Sequence, residues 1–200
     1  MCSSDLSTWR SDPAKAGGGT LIEHSIHDVD LLQWILGPAT SVHAAVSERY
    51  GHAGIEDSAV VHLGYPDGSR AVLMSIWHQV LSRGSSRRLE LFCDDAYCWT
   101  EDDYLGPWHV QTSDETTQII GALPEWADRL SAPEVYAKSV VQYAEPAKAF
   151  LDGLTGAGGE GHRGFPTVHE ALSAHRIVEA GYRSAADGGR PYDPATLRAL

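Results

Sequence analysis

The feature that most restricts the fold lies between Ala59 and Trp77. Ala59, Val61, Leu63 and Tyr65 alternate with other residues, as do Ala71, Leu73, Ser75 and Trp77, and Pro66-Asp67-Gly68 stands between the two runs. Alternation puts each set of side chains on one face of a strand. Pro-Asp-Gly supplies a preset φ, a local side-chain hydrogen bond and a permissive glycine, the ingredients of a tight turn. The segment is therefore predicted as an antiparallel hairpin with one buried face. Val42, Ala44 and Val46 repeat the alternation upstream, and shorter strands are expected at 89–93, 97–100 and 108–111. Asp94 and Asp95 mark the turn after the first of these, and Glu101, Asp102 and Asp103 mark the next.

A half-buried sheet needs a cover. From Thr20 to Leu36 apolar residues recur at helical spacing, with Ile22, Ile26, Val29, Leu32 and Leu36 as the stripe and Gly37-Pro38 as the stop. A second helix is expected over 133–154, with Tyr136, Val140, Ala144, Ala147 and Leu151 on one face and Pro146 forcing a kink or a break. The last helix opens with a capping box, Thr167 followed by Glu170, and leaves through Gly188, Gly189 and Pro191. Residues 112–131 show no clean period and are expected to form a long surface excursion. A helix, successive antiparallel strands and two further helices predict an α+β domain over 17–200: an open, mainly antiparallel sheet with helices packed on one face. Residues 1–16 are expected to be a disordered or artefactual tail with the remnant of an interdomain connection. Trp77, Trp99 and Trp108 fall on predicted strands, so the open sheet face is expected to meet a second subunit in a homo-oligomer.

Composition narrows the partners. A formal net charge of -12 works against nucleic acid, whose binding depends on Lys and Arg neutralising phosphates. No run approaches the ~20 apolar residues of a membrane span, and the first residues lack the order of a signal peptide, so a cytoplasmic protein is expected. The three cysteines are too few for a disulfide framework, although Cys93 and Cys98 flank a predicted turn and could approach one another.

Two groups of residues could do chemistry. Glu23, His27, Asp30 and Trp34 follow one another at spacings of four, three and four, which places them on one face of a continuous helix. An imidazole titrates near neutral pH and suits proton removal from an alcohol; a carboxylate one turn earlier could orient it or hold a substrate hydroxyl. His24 borders the same face. The second group, Trp77, His78 and Arg83 with Arg87 and Arg88 behind them, follows a predicted strand and could combine an aromatic surface with a guanidinium for oxygen-rich ligands. His24 and His27 form an H-x-x-H pair without a third ligand, so no metal is expected. Gly156, Gly158 and Gly161 satisfy G-x-G-x-x-G formally, but they follow a helix instead of a strand and are read as a loop.

The segment GGGTLIEHSIHDVDLLQWILG resembles the opening of the C-terminal domain of Gfo/Idh/MocA oxidoreductases, where a glycine run precedes a helix bearing an acidic residue, a histidine four later and an aspartate three after that. EDSAVVHLGYPDGSRAVLMSIWH is similar to that family's hairpin, and the resemblance runs on to IVEAGYRSAADGGRP. It implies activity on a sugar, cyclitol or related polyol, with His27 as the acid/base; beside it Glu23 is expected to assist catalysis, and Asp30, His24, Trp77, His78 and Arg83 are expected around the substrate. The family more often has Asp where Glu23 stands. The implied cofactor is NAD or NADP, bound mainly by an N-terminal Rossmann domain outside these 200 residues. The family's E-K-P lysine also has no counterpart, since Lys15, Lys138 and Lys148 are the only lysines and none sits in such a motif. The chain is thus expected to be the C-terminal part of a longer enzyme and inactive alone. Some relatives use the cofactor transiently to cleave a glycosidic bond. A stand-alone binding or dimerisation module that kept the fold and lost the chemistry is the competing expectation.

Overall fold

The structure is a computed structural model that describes residues 8–80, 82–83, 86–101, 106–119, 123–131, 133–157 and 166–197. It divides into two compact units, residues 1–83 with 166–200 and residues 84–165. The fold class is α+β, as the sequence predicts, but the strands form two antiparallel sheets and not one. In sequence, residues 77–88 connect the two sheets, and among the described residues Arg83 N–H donates to Val80 O at 3.0 Å.

In the first unit, β1 (Ser41–Ser47), β2 (Ser58–Gly64) and β3 (Arg70–Ile76) form a meander in chain order. The register sets Val61 opposite Ala44 and Leu73, and Leu63 opposite Val42 and Ala71, so the alternating residues share one face. Val42, Ala44, Ala59, Val61 and Leu63 are buried there. The predicted turn closes through Gly68, at φ 93°, where a side chain would be strained. The opposite face carries Val60, Val72, Met74 and Ile76, all exposed.

The cover is three helices. The last, α6 (Val168–Ala186), packs along β1 and buries Ala174, Ile177, Val178, Ala180, Gly181 and Ser184. Its capping box is formed, with Thr167 Oγ1 accepting from Glu170 N–H at 3.3 Å and Glu170 Oε2 from Thr167 N–H at 2.5 Å. A Cβ on Gly181 would meet Leu21 Cδ2 at 3.4 Å and Ala44 Cβ at 3.7 Å, ordinary contact distances that place this helix position directly against Leu21 and β1. Ser184 Oγ accepts from Ala44 N–H at 2.9 Å. Beyond the helix, Tyr192 exchanges two backbone hydrogen bonds with Val42 and occupies part of the β1 edge.

The continuous helix predicted over 20–36 is two helices, α2 (Thr20–Glu23) and α3 (Ile26–Leu36); a short α1 (Pro13–Ala16) precedes them. Thr20 O accepts from both His24 N–H, at 3.1 Å, and Ser25 N–H, at 3.0 Å. The second contact spans five residues and widens the turn, and buried Ser25, at ψ 0°, restarts the helix on a new axis. The core residues are therefore Leu21, Val29 and Leu32, while Ile22, Ile26 and Leu36 of the predicted stripe are half-buried. Within the segment read as a tail, residues 8–16 form a 3-10 turn (Trp9–Ser11) and α1, and Ala16 packs against Ile55 and Trp77.

The second unit is a four-stranded meander, β4 (Leu89–Phe92), β5 (Tyr97–Thr100), β6 (Trp108–Gln111) and β7 (Thr116–Ile119), with α4 (Leu123–Leu130) and α5 (Glu134–Thr155). The surface excursion expected over 112–131 is replaced by β7 and α4. Thr112 closes the β6–β7 turn by donating its N–H to Glu115 O at 2.9 Å. Every residue of β7 is exposed, so no burial period marks it in the sequence. Ala127 of α4 packs on Ala137 and Val141 of α5, with Trp126 beside them. The α5 helix runs through Pro146 without a break, its length outweighing the one backbone donor lost there. Among the described residues no helix is long and apolar enough to cross a membrane.

Candidate functional site

The glycine run before α2 is explained by a carboxylate that sequence reasoning did not single out. Glu56, only 4% exposed, lies just before β2. Its Oε2 accepts from Gly19 N–H at 2.6 Å, and its Oε1 from Leu21 N–H at 2.8 Å and Tyr182 Oη–H at 3.0 Å. Its backbone oxygen accepts from Thr20 N–H at 2.9 Å. A helix N-terminus leaves such donors without internal partners, and an anion there is favoured by the helix dipole. Gly19 has no alternative: a Cβ would stand 1.8 Å from Glu56 O. Burial, and then the Glu56 carboxylate, raise the Tyr182 hydroxyl well above its ordinary range. Asp57 ties the preceding loop, with Oδ2 accepting from Arg49 N–H at 2.6 Å and Tyr50 N–H at 2.9 Å. The Glu-Asp pair before a strand was legible as a motif, but its partners are distant in sequence and gave no local sign.

This anchor fixes the turn that presents the first predicted group. Glu23 closes α2, His24 caps it, and His27 sits in the first turn of α3. The break between the helices removes the premise of one continuous face for Glu23 and His27. His27, Asp30 and Trp34 do share a face of α3, and all three are exposed, Trp34 at 85%. Glu23 is instead drawn inward. Its Oε1 accepts from Arg10 Nε at 2.8 Å, the side chains being 28% and 14% exposed for Arg10 and Glu23 respectively. Its Oε2 is buried and has no hydrogen-bond partner among the described residues. Arg10 comes from the segment read as a tail, and its guanidinium lies 4.8 Å from the centroid of the Trp9 ring.

The second group divides. Trp77 is buried against Ile55 and Ala16, at 4% exposure, so its ring faces are spent on the core and offer no stacking surface to a ligand. His78 and Arg83 do meet in the following loop: Val80 N–H donates to His78 Nδ1 at 3.2 Å, and Arg83 Nη1 lies 3.1 Å from His78 Nε2. The groups are linked inside this unit, since Thr20 Oγ1 and Ser75 Oγ are hydrogen-bonded at 2.6 Å and α2 and α3 both pack on β3.

A dinucleotide needs a parallel βαβ unit whose glycine turn opens a helix beneath the phosphates. Every strand pair among the described residues is antiparallel, and Gly158 and Gly161 of the glycine-rich run lie outside the described residues. The described residues therefore contain no such βαβ dinucleotide-binding unit.

Residues 3–98 match the family model described as the GFO/IDH/MocA C-terminal domain. A 1,5-anhydro-D-fructose reductase from Ensifer adhaerens is 32% identical over 65 residues, which is 32% of this chain and 20% of that protein. The fold is shared with an inositol dehydrogenase homologue from Azotobacter vinelandii solved with NAD+, at TM-score 0.68 and 20% identity over 94% of this chain and 52% of that one. It is likewise shared with an aldose-aldose oxidoreductase from Caulobacter crescentus complexed with glycerol, at TM-score 0.67 and 21% identity over 93% of this chain and 50% of that one. The chain thus spans about half the length of these solved structures. The match over residues 3–98, which takes in α2, α3 and the hairpin, makes that stretch similar to the C-terminal domain of Gfo/Idh/MocA oxidoreductases, and the chain shares the fold of the two solved structures.

Proposed function

We propose that this domain supplies the substrate side of an NAD(P)-dependent oxidoreductase acting on a sugar, cyclitol or related polyol. The observation that carries the reading is the α2–α3 turn. It leaves His27 and Asp30 on an open helix face and holds Glu23 through Arg10 with one buried oxygen unpartnered among the described residues. In this reading His27 takes and returns the proton of the substrate hydroxyl, Glu23 assists by holding, through Arg10, the turn that presents it, and Asp30 and His24 border the substrate. His78 with Arg83 forms a further polar contact for an oxygen-rich ligand. Trp77 supports the site from beneath through its packing. The relatives whose names speak of inositol, aldoses and anhydrofructose support the substrate class.

The cofactor is assigned to a dinucleotide-binding domain outside residues 1–200, and the 200-residue chain alone is expected to show no micromolar NAD binding by calorimetry and no turnover. Copies of the chain are expected to pair through the outer face of β1–β3, where Val60, Val72, Met74 and Ile76 stand exposed. The test is His27→Gln in the enzyme that includes its cofactor domain. The reading expects a loss of roughly 10²–10⁴ in kcat with cofactor affinity unchanged, the range for removing a general acid/base. Turnover within a factor of about three of the parent would remove His27 from the chemistry and favour a non-catalytic module.

A further inference from the structure

Cys93 and Cys98 are both free, the first exposed and the second half-buried, on either side of the β4–β5 turn. The ladder sets Leu91 opposite Cys98 and Phe92 opposite Tyr97, and Cys93 N–H donates to Ala96 O at 2.8 Å. By alternation Leu91, Cys93 and Cys98 share a sheet face, which makes Cys93 the diagonal neighbour of Cys98. Diagonal Cα atoms in a ladder stand about 7–8 Å apart with the Cβ atoms closer. A disulfide spans Cα separations of about 4.4–6.8 Å. The difference is small, and the turn can absorb it: Phe92, Cys93, Asp94 and Asp95 are all exposed, and the contact that a tighter twist must shift is the stack of the Phe92 ring on Tyr97. Burial, and next the neighbouring Cys93, raise the Cys98 thiol above its ordinary range, which agrees with two sulfurs placed within mutual influence.

We propose that Cys93 and Cys98 form a redox-modifiable dithiol that closes reversibly into a disulfide across the β4–β5 turn. The oxidant is a small dialkyl disulfide. Cys93, the accessible thiol, gives its proton to water and attacks one sulfur; the small S–S bond breaks, and one thiolate leaves and takes up a proton. The Cys98 sulfur, deprotonated in turn, attacks Cys93 Sγ and expels the second small thiol. Two protein thiols are oxidised and one small disulfide is reduced to two thiols, with the protons balanced. A bond that needs the turn to tighten is strained, and strained, exposed disulfides are the readily reduced ones. The site is therefore a switch and not a structural staple.

The whole chain suits a direct mass measurement, because no Lys or Arg lies between Arg88 and Arg129, so trypsin keeps both cysteines in one peptide and Cys2 in another. The folded protein is incubated with excess glutathione disulfide, quenched in acid and digested. The expected result is a peptide 89–129 lighter by two hydrogen atoms, restored by dithiothreitol, and in Cys98→Ser the same peptide carrying one stable glutathione on Cys93. A wild-type peptide that holds stable glutathione on either cysteine without losing two hydrogens, or that remains fully reduced, overturns the proposal.

Discussion

Replacing Glu56 by Gln tests the anchor on which the candidate site rests. The carboxylate is buried and accepts three hydrogen bonds, from Gly19 N–H, Leu21 N–H and Tyr182 Oη–H. Gln is nearly the same shape but keeps one acceptor oxygen and turns two donors toward whichever backbone N–H the other oxygen served. A hydrogen bond to a charged group is worth about 1.5–3 kcal/mol net, and a buried donor left without a partner costs about 1–3 kcal/mol. Relief of the buried charge offsets part of the loss. The balance is a destabilisation of about 2–4 kcal/mol. At about 2–4 °C per kcal/mol for a chain of this size, the thermal midpoint should fall by roughly 5–15 °C. The assay is urea unfolding followed by far-ultraviolet circular dichroism, with Tyr182→Phe and the double variant completing a cycle that isolates the Tyr182 contact. A coupling of about 0.5–1.5 kcal/mol is expected between the two residues. If Glu56→Gln changes stability by less than about 0.5 kcal/mol with an unchanged denaturant slope, the carboxylate is not the anchor described above.

Three further outcomes follow from the same structure. Tyr65 is buried, and its hydroxyl has no hydrogen-bond partner among the described residues, so Tyr65→Phe should raise stability by about 1 kcal/mol in the same unfolding assay. Burial holds the Tyr65 hydroxyl up at about 12, and burial with Glu56 raises Tyr182. The unfolded chain therefore loses these protons first: the contribution is complete below the ordinary tyrosine value near 10 and is lost as pH rises through about 12, which unfolding scans at alkaline pH would show as a steep decline that Tyr65→Phe makes shallower. Met74→Glu places a charge at the centre of the exposed outer face of β1–β3. Light scattering should then report monomer where the parent is oligomeric, with folding stability changed by less than about 0.5 kcal/mol; an unchanged oligomer would move the interface elsewhere.

What the sequence could and could not reveal follows from which interactions are local. The β2–β3 hairpin was legible because alternation and the Pro66-Asp67-Gly68 turn act within a few residues. The Thr167 and Glu170 capping box was equally plain, since both partners sit in one turn. The break at His24 and Ser25 was not. It depends on Thr20 O accepting twice and on Glu56 holding α2 from across the unit, and a helical period reads smoothly over both. Strand β7 escaped notice because all four residues face solvent. Trp77 was misread as a ligand surface because an aromatic residue before His78 and Arg83 looks the same in sequence whether it points outward or packs on Ile55. Arg10 was missed as the partner of Glu23 because ion pairs thirteen residues apart leave no spacing signature.

The central claim is that these 200 residues are the substrate side of an enzyme whose cofactor is held by another domain. The most direct measurement is the DNA sequence immediately upstream of the codon for Met1, read from an intact clone. The account predicts an open frame running back into a βαβ unit with a G-x-G-x-x-G turn after its first strand and an E-K-P lysine. An in-frame stop codon with start signals directly before Met1 would contradict it and leave the stand-alone binding module in its place.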